Sequence, residues 1–128
     1  MNIALFFISH EGIASNLLTI GEAILQIPNS NLSYQEVPMD ADIDTINASI
    51  EKKLDALDIS NGVVFISDLY GSTPCNIAKH FANRYDSPLI SGINLPMVIR
   101  LLNYRHDNKQ DLLTKARDGA RDGIRLSN

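Results

Sequence analysis

The chain has little of several things, and each shortage closes a class of function. It contains no tryptophan and a single cysteine, Cys75. One cysteine cannot form an internal disulfide or supply a cysteine cluster for zinc, so a reducing, cytoplasmic setting is expected. Basic charge is also short: 11 Lys and Arg stand against 15 Asp and Glu, a formal net charge of −4. That balance argues against an electrostatic grip on nucleic acid or on anionic lipid. No stretch approaches the ~20 apolar residues of a spanning helix, so membrane work would have to go through partners. The apolar start has neither a basic region before it nor a small-residue cleavage site, and reads as a strand rather than a leader.

What remains is the make-up of a folded domain. At 128 residues, with 45% hydrophobic and 20% charged residues, the chain is expected to form one domain, residues 1–128, with a proper core. Its organising stretch is Ile3 to Gly12. The run Ile3–Ile8 has no polar face, as in a strand buried on both sides, and passes through Ser9 to His10. Val63–Ile66 repeats the pattern and ends at Ser67-Asp68. Shorter strands are expected at Leu32–Val37 and Leu89–Ile93.

Helical spacing fills the intervals. Ile13, Leu17, Ile20 and Ile24 make one stripe; Ile43, Ile46, Ile50, Leu54 and Leu57 make another, capped by Asp40 or Asp42. Thr73 before Pro74 predicts a helix start, with Thr73 as cap and Pro74 in the first position, burying Ile77, Ala78, Phe81 and Ala82. Two more helices are expected over Leu95–Tyr104 and from about Lys109 to about Arg121. The charged residues near the end read as a solvated face, and His106 with its neighbours Arg105 and Asp107 as a polar loop.

Strand and helix alternate throughout, which predicts an α/β fold: a doubly wound, mainly parallel sheet with helices on both faces. Strand order 2-1-3-4 is expected, with room for an extra edge strand. The first and third strands are then neighbours at the topological switch point, and His10 and Asp68 meet at their carboxyl ends. A carboxylate beside an imidazole fixes its tautomer, leaves the other ring nitrogen free as a nucleophile and stabilises positive charge on the ring. Gly71, Ser72 and Thr73 offer backbone N–H groups and hydroxyls at the start of the following helix, a cradle for phosphate. Together these residues point to phosphoryl transfer through phosphohistidine. No metal is expected, because the three histidines lack ligand spacing, and no cofactor is called for.

Other residues fit less well. Cys75 stands in the first turn of a helix, but no arginine follows where a cysteine phosphatase loop needs one. His80 reads as surface. Asn94, Pro96 and Met97 suit either a pocket rim or, for Met97, the core. A response-regulator receiver would need an acidic pair after the first strand, where Ser9-His10-Glu11 stands. A flavodoxin-like protein would need a Ser/Thr/Gly phosphate loop there.

The Ser9-His10 strand end, Asp68-x-x-Gly71-Ser72-Thr73-Pro74-x-Asn76 and Gly92-Ile93-Asn94-Leu95-Pro96-Met97 are together similar to the enzyme IIA component of the mannose-type (mannose/fructose/sorbose) sugar phosphotransferase system. The resemblance runs from end to end. It implies a phosphotransferase in which His10 takes a phosphoryl group from HPr and hands it to a IIB component, with Asp68 orienting the histidine. It also implies a homodimer, and contact with the membrane only through IIC and IID partners. Two departures stand out. Glu11 follows the histidine where many members have glycine, either repelling the phosphoryl group or facing solvent. No Ala/Pro-rich linker or IIB domain follows Asn128, so IIB is expected as a separate protein. The alternative is a stand-alone regulatory IIA whose phosphorylation state signals to partners without sugar transport.

Overall fold

The computed structural model describes residues 2–28 and 30–128. Its elements are β1 (Ala4–His10), α1 (Ala14–Leu25), β2 (Leu32–Val37), α2 (Ile43–Asp55), β3 (Val63–Ser67), α3 (Thr73–Arg84), β4 (Leu89–Ser91), α4 (Leu95–Asn103) and α5 (Lys109–Asp122). The four strands are parallel in the order β2-β1-β3-β4. Among the described residues no fifth strand joins them, and residues 124–128 belong to no helix or strand.

Strand alternation sorts the core into two layers. Leu5, Phe7, Val64 and Ile66 point to one face and meet Leu18 of α1, Leu101 of α4 and Leu112 of α5. Phe6, Ile8, Val63 and Phe65 point to the other and meet Ile50 of α2 and Phe81 of α3. Side chains this size contribute about 1.5–3 kcal/mol each when fully buried. The sheet's two central strands are therefore its most heavily supported part, and both lead directly to the site.

α2 follows the middle of its apolar stripe, while Ile43 is exposed and Leu57 lies beyond the helix end. Asp42 is the cap, accepting from the Thr45 N–H, and Ile46, Ile50 and Leu54 are buried. α1 does not follow its spacing. Ile13, Ile20 and Ile24 are 39%, 46% and 57% exposed, whereas Ala14, Leu18 and Gly21 face inward. The cause is close packing against α4. A Cβ on Gly21 would lie 3.0 Å from Val98 Cγ1 and 3.2 Å from Leu102 Cδ1, so only a small inner face fits.

Three smaller departures have local causes. Ser72, not Thr73, caps α3, which shifts the helix start back by one residue. Met97 is core, and Asn94 caps α4 by accepting from the Met97 N–H. Arg105 is 5% exposed rather than part of a polar loop. Its guanidinium donates to the carbonyls of Ile3, Ser30 and Asn31, tying the amino end of the sheet together. Burial without a carboxylate partner pushes its pKa down.

Candidate functional site

Register brings the site together. Ile8 of β1 pairs with Ser67 of β3, so Asp68 arrives level with the end of β1. The loop beyond it is pinned when the Gly92 N–H donates to the Asp68 carbonyl at 3.0 Å. Asp68 Oδ2 accepts from the His10 backbone N–H at 2.9 Å and lies 2.7 Å from His10 Nδ1. Oδ1 accepts from the Leu69 N–H at 2.9 Å. One carboxylate oxygen thus holds both the backbone and the ring of the same histidine.

The Asp68 side chain is 12% exposed and that of His10 33%. Burial works to raise the Asp68 pKa, but the hydrogen bonds from the His10 backbone, the His10 ring and Leu69 outweigh it and hold the carboxyl below the ordinary value. An ionised Asp68 accepts the Nδ1 proton, which leaves Nε2 with its lone pair.

Two strand-to-helix turns flank this pair, and both carry a glycine in the left-handed region: Gly12 at φ +85° and Gly71 at φ +83°. In the β1–α1 turn the first helical N–H groups are taken. Ala14 N–H donates to Ser9 Oγ at 3.0 Å, and Ser9 Oγ donates to the His10 carbonyl at 2.8 Å. Ser15 N–H and Oγ both donate to Glu36 Oε2, at 2.9 and 2.6 Å. Burial works to raise the Glu36 pKa, and the bonds from Ser15 and Gly12, with the charge of Lys53, bring it below the ordinary value.

The β3–α3 turn is looser. Ser72 Oγ donates to the Leu69 carbonyl at 2.6 Å and accepts from the Cys75 N–H at only 3.4 Å. Pro74 has no N–H. Thr73 and Pro74 form one wall of a cavity of about 100 Å³ that His10 shares with Met39 and Ile43. The structure therefore brings His10, Asp68 and Thr73 to one place; Gly71 shapes the turn, and the Ser72 hydroxyl is committed to capping. Cys75 is buried, His80 and His106 are exposed and form no hydrogen bond with the pair, and Glu11, next to His10 in the chain, is exposed. Among the described residues no group of three or more His, Cys, Asp and Glu is arranged to hold a metal ion.

Glu36 escaped the sequence reading, because a cap supplied from another strand 21 residues away leaves no local signature. A second feature emerges only in three dimensions. Met39, which shares the cavity with His10, and Leu69 and Tyr70, which follow Asp68, are 93%, 62% and 79% exposed, apolar side chains on the loops at the carboxyl end of the sheet.

A doubly wound α/β domain with a carboxylate-held histidine at its switch point is the class that these features define. The chain belongs to the family described as the PTS system fructose IIA component, whose model matches residues 4–116. It is 27% identical over 128 residues to the PTS system mannose-specific EIIAB component of Escherichia coli strain K12, covering 98% of this chain and 39% of that protein. The chain thus spans about two fifths of the length of that curated relative. In structure it is similar to the mannose/sorbose specific IIA subunit of the phosphotransferase system from Enterococcus faecalis, with a TM-score of 0.85 at 19% identity, covering 100% of this chain and 96% of that one. It is also similar to the PTS IIA protein associated with the fucose utilization operon from Streptococcus pneumoniae, with a TM-score of 0.78 at 22% identity, covering 100% and 93%. Among the described residues no helix is long and apolar enough to cross a membrane.

Proposed function

We propose that this chain, a single cytoplasmic IIA domain over residues 1–128, is a phosphocarrier of the sugar phosphotransferase system. His10 accepts a phosphoryl group from HPr and passes it to a IIB component. The observation that carries this reading is the double hold of Asp68 Oδ2 on the His10 backbone and Nδ1, which leaves Nε2 without a partner among the described residues, on a histidine that lines the small cavity.

The lone pair of Nε2 attacks phosphorus and forms the N–P bond. The donor's bond to phosphorus breaks, and its electron pair leaves with the donor. Positive charge then develops on the His10 ring, and the Asp68 carboxylate stabilises it through Nδ1–H. The Ser72 N–H is spent on the Leu69 carbonyl, so the Gly71 and Thr73 N–H groups and the Thr73 hydroxyl take the phosphoryl oxygens, aided by the positive end of α3. Transfer to IIB is the reverse at the same nitrogen, so positioning and charge placement suffice for both steps.

Cavity size supports a carrier rather than a sugar-binding enzyme. Small-molecule sites usually enclose about 300–1,000 Å³, and the space beside His10 is about 100 Å³. That is room for a phosphoryl group presented by another protein. The exposed side chains of Met39, Leu69 and Tyr70 suit docking of such partners, and pairing of the chain into a homodimer belongs to the same reading.

The test is incubation with phosphoenolpyruvate, enzyme I and HPr, followed by intact-mass analysis. The expected product carries one acid-labile, base-stable phosphoryl group that is absent from His10→Ala. Persistent labelling of that variant, or no labelling of the wild type by active upstream proteins, would overturn the reading.

A further inference from the structure

The amino end of α1 is as near to His10 along the chain as that of α3 is to Asp68, and an empty helix end of this kind attracts anions. Here it is already occupied by the protein's own carboxylate. Glu36 is delivered by β2, where it pairs in register with Ser9, and its Oε2 takes both the N–H and the hydroxyl of Ser15. The Gly12 N–H, in the same turn, helps to hold the Glu36 carboxyl below its ordinary value. At the other turn, Asp68 Oδ1 takes no N–H but that of Leu69, and among the described residues no carboxylate bonds the first N–H groups of α3, whose capping is left to the long Ser72–Cys75 contact.

We propose that Glu36 is a positioning residue that plugs the amino end of α1 as an internal anion and so directs phosphoryl oxygens on His10 toward the 71–73 turn. The part concerning His10 rests on the phosphocarrier reading; the plug itself does not. Glu36 makes no contact with the reacting atoms. It acts by satisfying the donors of α1 and by repelling a second anion from them, and it ties down the turn that carries the histidine.

The experiment titrates inorganic phosphate into ¹⁵N-labelled, unphosphorylated protein and follows backbone amides. In the wild type, the Gly12 and Ser15 amides are expected to stay unmoved. In Glu36→Gln, which keeps an oxygen acceptor but loses the charge, both amides should shift with phosphate. Ser15→Ala retains the Glu36 charge and should behave as wild type. Indifference of Gly12 and Ser15 in Glu36→Gln, or an equal response in the wild type or Ser15→Ala, would overturn the plug.

On phosphorylated protein, Glu36→Gln should pass its phosphoryl group onward several-fold more slowly at unchanged KM for the acceptor. An unchanged rate would overturn the steering role, since a purely structural cap leaves that rate alone in a folded variant. Failure of wild-type His10 to accept phosphate from HPr would instead strike the phosphocarrier reading and leave the titration result standing.

Discussion

The two turns on either side of the histidine begin alike and end differently. Each leaves a buried parallel strand, passes a glycine with positive φ and enters a helix. The β1–α1 turn is closed by Ser9 and Glu36, which occupy its amide donors with buried or half-buried oxygens. The β3–α3 turn has one long capping contact and a proline, and its Thr73 lines the cavity. The contrast leaves only one of two anion-attracting helix ends open beside the histidine. The other is filled from within.

The largest expected effect comes from the anchor between the turns. Asp68→Asn should slow phosphoryl acceptance on the order of 10²–10⁴-fold, because a neutral amide neither secures the Nδ1–H tautomer nor stabilises charge on the ring. Labelling kinetics against wild type check this, and the adduct should still form on His10. Thr73→Val comes next. Removing the hydroxyl from the open turn should slow transfer roughly tenfold, the worth of one hydrogen bond of about 1.4 kcal/mol, with little change in thermal midpoint. Ser9→Ala, in the closed turn, should reverse the pattern. It should cost about 1–2 kcal/mol of stability in denaturant unfolding and leave the transfer rate within a few-fold. Equal rate losses in Thr73→Val and Ser9→Ala would erase the distinction between the turns.

Acid provides the smallest and most graded comparison. The Asp68 and Glu36 pKa values are both lowered in the folded chain. Their stabilising contributions are therefore complete above the ordinary carboxylate range near pH 4 and fade as pH falls through the lower native values. Stability measured from pH 6 downward should drop less steeply in Asp68→Asn and in Glu36→Gln than in wild type. A slope unchanged in both variants would remove electrostatics from the account of the two turns.

The legible parts of the sequence were those governed by short-range pattern. β2 runs over Leu32–Val37 as expected, α2 has its Asp42 cap, and the burial of Ile77, Ala78, Phe81 and Ala82 follows from spacing alone. His10 and Asp68 meet because two unbroken apolar strands in a parallel sheet bring their carboxyl ends together, so their pairing followed from topology. α1 was misread because tight helix packing selects alanine and glycine on the inner face. The isoleucine stripe that looked like core is solvent-facing. Glu36 and Arg105 were illegible for a different reason. Each acts on backbone groups far away in sequence, 21 residues for Glu36 and Ser15 and 102 for Arg105 and Ile3, and nothing local marks either role. The Ser72 cap was missed by one residue because Ser and Thr both serve as caps and the placement of Pro74 does not decide between neighbours.

The most direct test of the account is to locate the phosphoryl group by long-range ¹H–¹⁵N correlation on protein labelled in its histidine rings and phosphorylated through HPr. The hold of Asp68 on Nδ1 predicts a single adduct at Nε2 of His10. A phosphoryl group at Nδ1 of His10, or on any other residue, would contradict it.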